Sequence, residues 1–212
     1  MSHSKPLHAL SVLPQSPRHQ GSLVRPIRLT LPTMLTLFRI LLLPVMVVVF
    51  YLPFRGANLA AAAIFIAAAL TDWLDGWIAR RYGMTSAFGA FLDPVADKLM
   101  VAVTLFLLVE RNPTPMLAVT SAVIVGREIS ISALREWMAE IGQRARVGVA
   151  TLGKIKTIVQ MVALVVLLHQ HDFAELRLYR IGEYLLVAAA ALTIWSALIY
   201  VRAAWPVLRE RE

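Results

Sequence analysis

The residues of this 212-residue chain best suited to chemistry are four aspartates, Asp72, Asp75, Asp93 and Asp97. They stand in a fixed frame: Asp72-x-x-Asp75-Gly76-x-x-Ala79-Arg80, eight residues, then Gly89-x-x-x-Asp93-x-x-x-Asp97. No acidic residue precedes Asp72, so the cluster begins abruptly, where a hydrophobic segment meets a polar loop. Carboxylates crowded at such an edge repel one another and are costly to dehydrate, and divalent cations relieve both difficulties. The pattern therefore reads as a metal site. Asp72 and Asp75 lie one helical turn apart and share a face, as do Asp93 and Asp97, so two helices in a hairpin can turn all four toward one point. A solvated loop whose acids balance Arg80, Arg81 and Lys98 accounts for one or two acids. It does not account for four in register with two glycines.

The elements that position these residues are apolar helices. The chain is 58% hydrophobic with a mean hydropathy of +0.68, against roughly 45–50% apolar residues in an ordinary soluble domain. A helix of about 20 mostly apolar residues crosses a hydrocarbon core roughly 30 Å thick, and several runs reach that length. The expectation is an all-α polytopic integral membrane protein of six transmembrane helices, near 33–54, 57–80, 91–109, 116–137, 152–168 and 182–203. Pro32, Pro53, Pro113 and Pro115 punctuate the ends of these spans, as suits a residue that disrupts helix interiors. Trp73, Trp77, Trp137, Trp195 and Trp205 fall near span ends, where they can anchor at the lipid–water boundary.

Twenty-one basic residues against thirteen acidic ones give a formal charge of +8. The basic residues occupy loops between apolar spans, so topology, anionic lipids or a phosphorylated substrate explain them, and nucleic acid is not expected. One side carries Arg80, Arg81, Arg135, Arg144, Arg146, Lys154, Lys156 and the basic tails; the other has Arg55, Arg111, Arg177 and Arg180. The positive-inside rule then puts both termini and the aspartate hairpin in the cytoplasm. Cysteine is absent, which excludes disulfide and thiol chemistry. His3, His8, His19, His169 and His171 show no zinc-ligand spacing. Residues 1–31 form a basic, loosely ordered cytoplasmic tail in this reading, followed by the transmembrane domain over 32–204 and a short C-terminal tail over 205–212.

Eight fixed positions, each matched about one time in twenty, arise by chance on the order of 10⁻¹⁰ times per starting point. The frame resembles the signature of the CDP-alcohol phosphatidyltransferase family at every fixed position. Three further stretches resemble the bacterial glycerol-phosphate-using branch of that family: Pro32-Thr-Met-Leu-Thr-Leu-Phe-Arg39, Phe88-Gly-Ala-Phe-Leu-Asp-Pro-Val-Ala-Asp-Lys98 and Arg127-Glu-Ile-Ser-Ile-Ser-Ala-Leu-Arg-Glu-Trp-Met138. Thr33 stands where Asn is common. The resemblance implies a homodimer in the bacterial inner (cytoplasmic) membrane, with a polar cavity open to the cytoplasm and two divalent cations, Mg²⁺ or Mn²⁺. It implies that Asp72, Asp75, Asp93 and Asp97 ligate metal and that Asp97 also serves as the general base. It assigns the CDP-lipid to Asp72, Gly76, Ala79, Arg80 and Gly89. There the two glycines and Ala79 leave room for the nucleotide, and Arg80 pairs with the pyrophosphate. The chemistry agrees, because oxygen-ligated hard cations neutralise a pyrophosphate and stabilise departing CMP.

The implied reaction transfers the phosphatidyl group of CDP-diacylglycerol to sn-glycerol 3-phosphate, giving phosphatidylglycerol phosphate and CMP. The acceptor's phosphate is expected at Arg127, Lys154, Lys156, Arg135, Arg144 and Arg146. Arg127 is the most telling, because it follows the apolar run Ala122-Val-Ile-Val-Gly126 and needs a partner, either Glu128 or a bound anion. Arg39 lies inside the first span and either reaches the interface or meets the nucleotide. Two other readings stand beside this one. The same chemistry could serve another acceptor, namely phosphatidylglycerol, inositol phosphate or serine. A divalent-cation transporter would instead use the aspartates for permeation, but such acids usually lie near the membrane midplane.

Overall fold

The computed structural model describes residues 30–83, 86–142, 150–169 and 178–209, apart from the side chains at 87, 150–154 and 208. It contains six helices: α1 (Leu31–Tyr51), α2 (Ala57–Tyr82), α3 (Ala87–Arg111), α4 (Pro115–Glu140), α5 (Ala150–His169) and α6 (Leu178–Arg209). Each coincides with an expected span. The main difference at the site is α3, which starts at Ala87 rather than near Phe91. Ser86 caps α3 by accepting the Gly89 N–H at 3.0 Å, which satisfies one of the orphan donors of the first turn. Thr114 caps α4 in the same way, with Pro115 following at the position that needs no donor. Gly83 ends α2 in the left-handed conformation, φ 65°, which a residue without Cβ adopts freely. Pro94 lies inside α3, and its missing N–H leaves the Ala90 carbonyl without a helical donor.

The helices close into a ring. α1 packs on α2 and α3, α2 on α5, α5 on α6, α6 on α4 and α4 on α3, while α3 also touches α5 across the ring. Apolar side chains from all six build the core, among them Phe50, Phe65, Leu105, Ile124, Leu164 and Leu186. Outside, large apolar residues such as Leu41, Val48, Leu70, Phe106, Val119 and Leu198 are exposed. An exposed apolar belt of that kind suits hydrocarbon rather than water. Trp73, Trp77, Trp195 and Trp205 also point outward.

α1, α2, α4 and α6 are long and apolar enough to cross a membrane, so the protein is polytopic. The described apolar part of α5, Ile155–His169, is shorter. α3 carries Asp93, Asp97 and Lys98 in its first half and Glu110 and Arg111 at its end, which lowers its mean hydropathy. In α3 the charged residues of the first half are those that build the site. Residues 1–29, most of the expected N-terminal tail, lie outside the described set.

Candidate metal centre and adjoining cavity

The C-terminal half of α2 and the N-terminal half of α3 bring the aspartates together. One carboxylate oxygen from each of Asp72, Asp75 and Asp93 lies within 4.8 Å of the others. Asp75 is buried, while the side chains of Asp72, Asp93 and Asp97 are 37%, 41% and 47% exposed. The cluster is thus rooted in protein on one side and open on the other. Three hard oxygen donors on rigid helices fit a divalent cation of the Mg²⁺ class, which keeps several ligand positions for water or substrate phosphate. The cluster can therefore hold one divalent metal ion.

Arg39 of α1 sits at the centre of these carboxylates. One terminal nitrogen of its guanidinium, Nη1, lies 2.9 Å from Asp72 Oδ1, 3.5 Å from Asp93 Oδ1 and 2.5 Å from Asp97 Oδ1. The other, Nη2, donates to Asp75 Oδ2 at 2.6 Å. Arg39 has no exposed surface. It therefore does not snorkel to the interface, and its guanidinium is committed to the four acids. The signal was present in the sequence: an arginine within an apolar span requires a partner, and the first acids in the chain are those of this cluster.

Gly76 and Gly89 both sit in tight places. A Cβ at Gly89 would stand 2.7 Å from Thr33 Oγ1 and 3.0 Å from Ser86 Oγ, and those two hydroxyls are themselves 2.8 Å apart. Gly89 is where α1 and α3 approach each other, a role inside the protein that its resemblance-based assignment did not contain. At Gly76 a Cβ would meet the Arg80 guanidinium at 3.3 Å, so Arg80 folds back over the α2 backbone beside Asp75. Ala79 is half-buried on the same helix.

Next to the carboxylates opens a cavity of about 1020 Å³ lined from α2, α3, α4, α5 and α6. Asp72 and Asp97 form part of its wall, and Arg127, Glu128 and Arg135 of α4 form another part. Arg127 donates to Ser196 of α6 at 2.7 Å and pairs with Glu128 at 3.2 Å. Glu128 in turn accepts from Lys156 of α5 at 2.5 Å. Lys156 is buried and reaches the wall through Glu128. Arg135 lies over the Tyr200 ring, 5.6 Å from its centroid, a cation–π arrangement. Gln160, also on the wall, is buried with its carbonyl oxygen free of hydrogen bonds among the described residues. Lys154 lies near the start of α5, its side chain outside the described set, and Arg144 and Arg146 fall outside the described residues. Glu128, Gln160, Ser196 and Tyr200 were not among the expected site residues. The last three carry no charge, and nothing in the sequence separates them from ordinary helix-packing residues.

The sequence profile of CDP-alcohol phosphatidyltransferase matches residues 29–195, the greater part of the chain. The chain belongs to the CDP-alcohol phosphatidyltransferase family. Within that family it is similar to proteins named "CDP-diacylglycerol--glycerol-3-phosphate 3-phosphatidyltransferase" from several bacteria. The one from Sodalis glossinidius (strain morsitans) is 51% identical over 177 residues, covering 84% of this chain and 96% of that relative. That of Yersinia pestis (strain Pestoides F) is 51% identical over 184 residues, 86% of this chain and 99% of the relative. A third, from Salmonella choleraesuis (strain SC-B67), is 50% identical over 174 residues, 82% and 94% respectively. All four aspartates lie inside the stretch matched by the family profile, as do Arg39, Arg127 and Lys156. Membership makes the protein a membrane-embedded enzyme of phospholipid synthesis that carries a candidate metal-binding aspartate cluster.

Proposed function

We propose that this enzyme transfers the phosphatidyl group of CDP-diacylglycerol to sn-glycerol 3-phosphate, yielding phosphatidylglycerol phosphate and CMP. The observation that carries this reading is one cavity with carboxylates at one part of its wall and guanidinium groups at another. Asp72 and Asp97 face the space that Arg127 and Arg135 also face. An acceptor with a phosphate at one end and a hydroxyl at the other matches that polarity. The names and near-complete coverage of the relatives support the same choice.

Asp72, Asp75, Asp93 and Asp97 would hold two divalent cations, Mg²⁺ or Mn²⁺. When bound, these neutralise the pyrophosphate and stabilise the departing CMP. The protein's own groups do the rest. Arg80, folded over Gly76, is positioned to pair with the nucleotide's phosphates. Arg127, with Arg135 and Lys156 nearby, draws in the acceptor phosphate and so holds the primary hydroxyl toward the carboxylates. Asp97 takes the hydroxyl proton as the acceptor oxygen attacks the lipid-bearing phosphorus. A new P–O bond forms to glycerol phosphate while the P–O bond to CMP breaks, and the charge on CMP leaves with it.

All six helices cross the inner membrane in this reading, α3 and α5 presenting their charged faces to the cavity and their apolar faces outward. Both termini, the cavity mouth and the tails over 1–31 and 205–212 are cytoplasmic, as the Lys/Arg bias requires. The catalytic domain over 32–204 works as a homodimer. The deciding experiment measures CMP release from CDP-diacylglycerol by the purified protein against a panel of acceptors. Release should depend on divalent metal and on sn-glycerol 3-phosphate. Preference for phosphatidylglycerol, inositol phosphate or serine would refute the acceptor, and no release with any acceptor would refute the enzyme.

A further inference from the structure

We propose that Arg39 is the resident counter-cation of the carboxylate cluster, able to hold the four aspartates together by itself and, by the same contacts, weakening the cluster's grip on divalent metal. The inference rests on reading the cluster as a metal site.

Three observations carry it. First, a single guanidinium reaches all four carboxylates, and every ion pair that these acids make among the described residues goes to Arg39. Secondly, the guanidinium cannot withdraw. Arg39 is wholly buried, and its surroundings include the core residues Leu43, Met46, Phe65 and Met100. Its Nε has no hydrogen-bond partner, so compensation for its buried charge comes from the carboxylates alone, and moving away would leave that charge unpaired. Thirdly, Arg39 engages each acid through one oxygen: Oδ1 of Asp72, Asp93 and Asp97, and Oδ2 of Asp75. Asp72, Asp75 and Asp93 are also the acids grouped closely enough to ligate one metal ion. A divalent ion entering the cluster therefore shares its ligands with a positive charge that stays in place.

The two effects are linked. Four negative charges confined by two helices repel one another, and one fixed positive charge relieves part of that repulsion without any exchangeable ion. The same charge repels an arriving cation. A unit charge and a divalent ion about 5 Å apart in a water-like medium oppose each other enough to change affinity roughly tenfold. Arg39 thus exchanges tight metal binding for a cluster whose geometry does not depend on metal. It is a positioning residue, acting through the carboxylates.

The test is a thermodynamic cycle between Arg39 and Mn²⁺, read by stability and binding rather than turnover. The full-length protein in detergent, with its Arg39→Met and Arg39→Gln variants, is melted in chelator and in saturating Mn²⁺, and the Mn²⁺ Kd is measured by electron paramagnetic resonance of the free ion. Arg39→Met should melt below wild type in chelator, recover most of that deficit in Mn²⁺, and bind Mn²⁺ roughly tenfold more tightly. A deficit of equal size in both conditions, with Kd unchanged or raised, overturns the proposal and makes Arg39 an ordinary structural residue. If Arg39→Met yields folded protein only when prepared in Mn²⁺, the proposal is supported; if it folds in neither condition, Arg39→Gln decides. That change removes the charge and keeps a hydrogen-bonding side chain, so the Mn²⁺ Kd should fall below that of wild type, and a Kd equal or higher overturns the proposal. Failure of wild type and variants alike to bind Mn²⁺ would overturn the metal-site reading as well, which separates the two failures.

Discussion

Replacing Arg127 with Ala tests the acceptor side of the cavity most directly, because Arg127 is on the wall and its existing partners are known. In the structure it donates to Ser196 and pairs with Glu128. Loss of a hydrogen bond to a charged group costs about 1.5–3 kcal/mol. Arg127 does not bind phosphate with a free guanidinium, however; Glu128 already takes part of its charge. The lower half of the range applies, and at about 1.4 kcal/mol per tenfold the expected rise in KM for sn-glycerol 3-phosphate is roughly 10- to 40-fold. Glu128 keeps Lys156 at 2.5 Å, so the variant leaves no orphaned buried acid and should fold. Initial rates of CMP release would be measured across acceptor concentrations at saturating CDP-diacylglycerol. The KM for CDP-diacylglycerol should stay within twofold, and Arg127→Lys should fall between wild type and Ala. An unchanged KM for glycerol phosphate, with only kcat lowered, would mean that Arg127 serves packing against α6 and not the acceptor.

Further outcomes are expected at the carboxylates and at the α1–α3 contact. Asp97→Asn keeps the shape but removes the base, so turnover should vanish while the fold stays intact; residual activity within tenfold of wild type would refute the base assignment. Asp75→Asn removes the buried acid at the root of the cluster and should weaken Mn²⁺ binding by about tenfold or more, checked by calorimetry. Gly89→Ala drives a methyl to 2.7 Å from Thr33 Oγ1, overpacking that should cost about 1–3 kcal/mol and lower the melting temperature by several degrees. Adding Thr33→Ala should return part of that loss.

The aspartate frame was legible because its information is local. Spacings of three and four residues between acids fix a shared helix face, and two short helical segments suffice to bring three carboxylates within reach of one ion. The helices were legible for the same reason, since an apolar run of span length can do little else. α3 shows the limit. Its first turn depends on Ser86 accepting from Gly89, a cap placed among small residues that read equally well as loop. The acceptor wall was only half legible. Arg127 announced itself as a charge in an apolar run, and Lys156 emerged as a partner of Glu128. Gln160, Ser196 and Tyr200 arrive from α5 and α6 by tertiary packing alone. Arg39 lies between these cases: its need for a partner was readable, but that the partner is all four aspartates at once depends on the register of α1 against α3.

That register is set by the contact among Thr33, Ser86 and Gly89, which works as a ruler. Six residues of helix separate Thr33 from Arg39, a climb of about 9 Å at 1.5 Å per residue. On α3, Asp93 and Asp97 stand four and eight residues beyond Gly89, about 6 and 12 Å along. With the zero marks aligned, the guanidinium arrives midway between the two acids. A single residue inserted between Thr33 and Arg39 would swing that side chain by about 100° around α1 and aim it at lipid. The charge pattern of the site is therefore counted out from a hydroxyl-to-glycine contact two turns away, and the glycine at the α1–α3 approach decides where the cation stands.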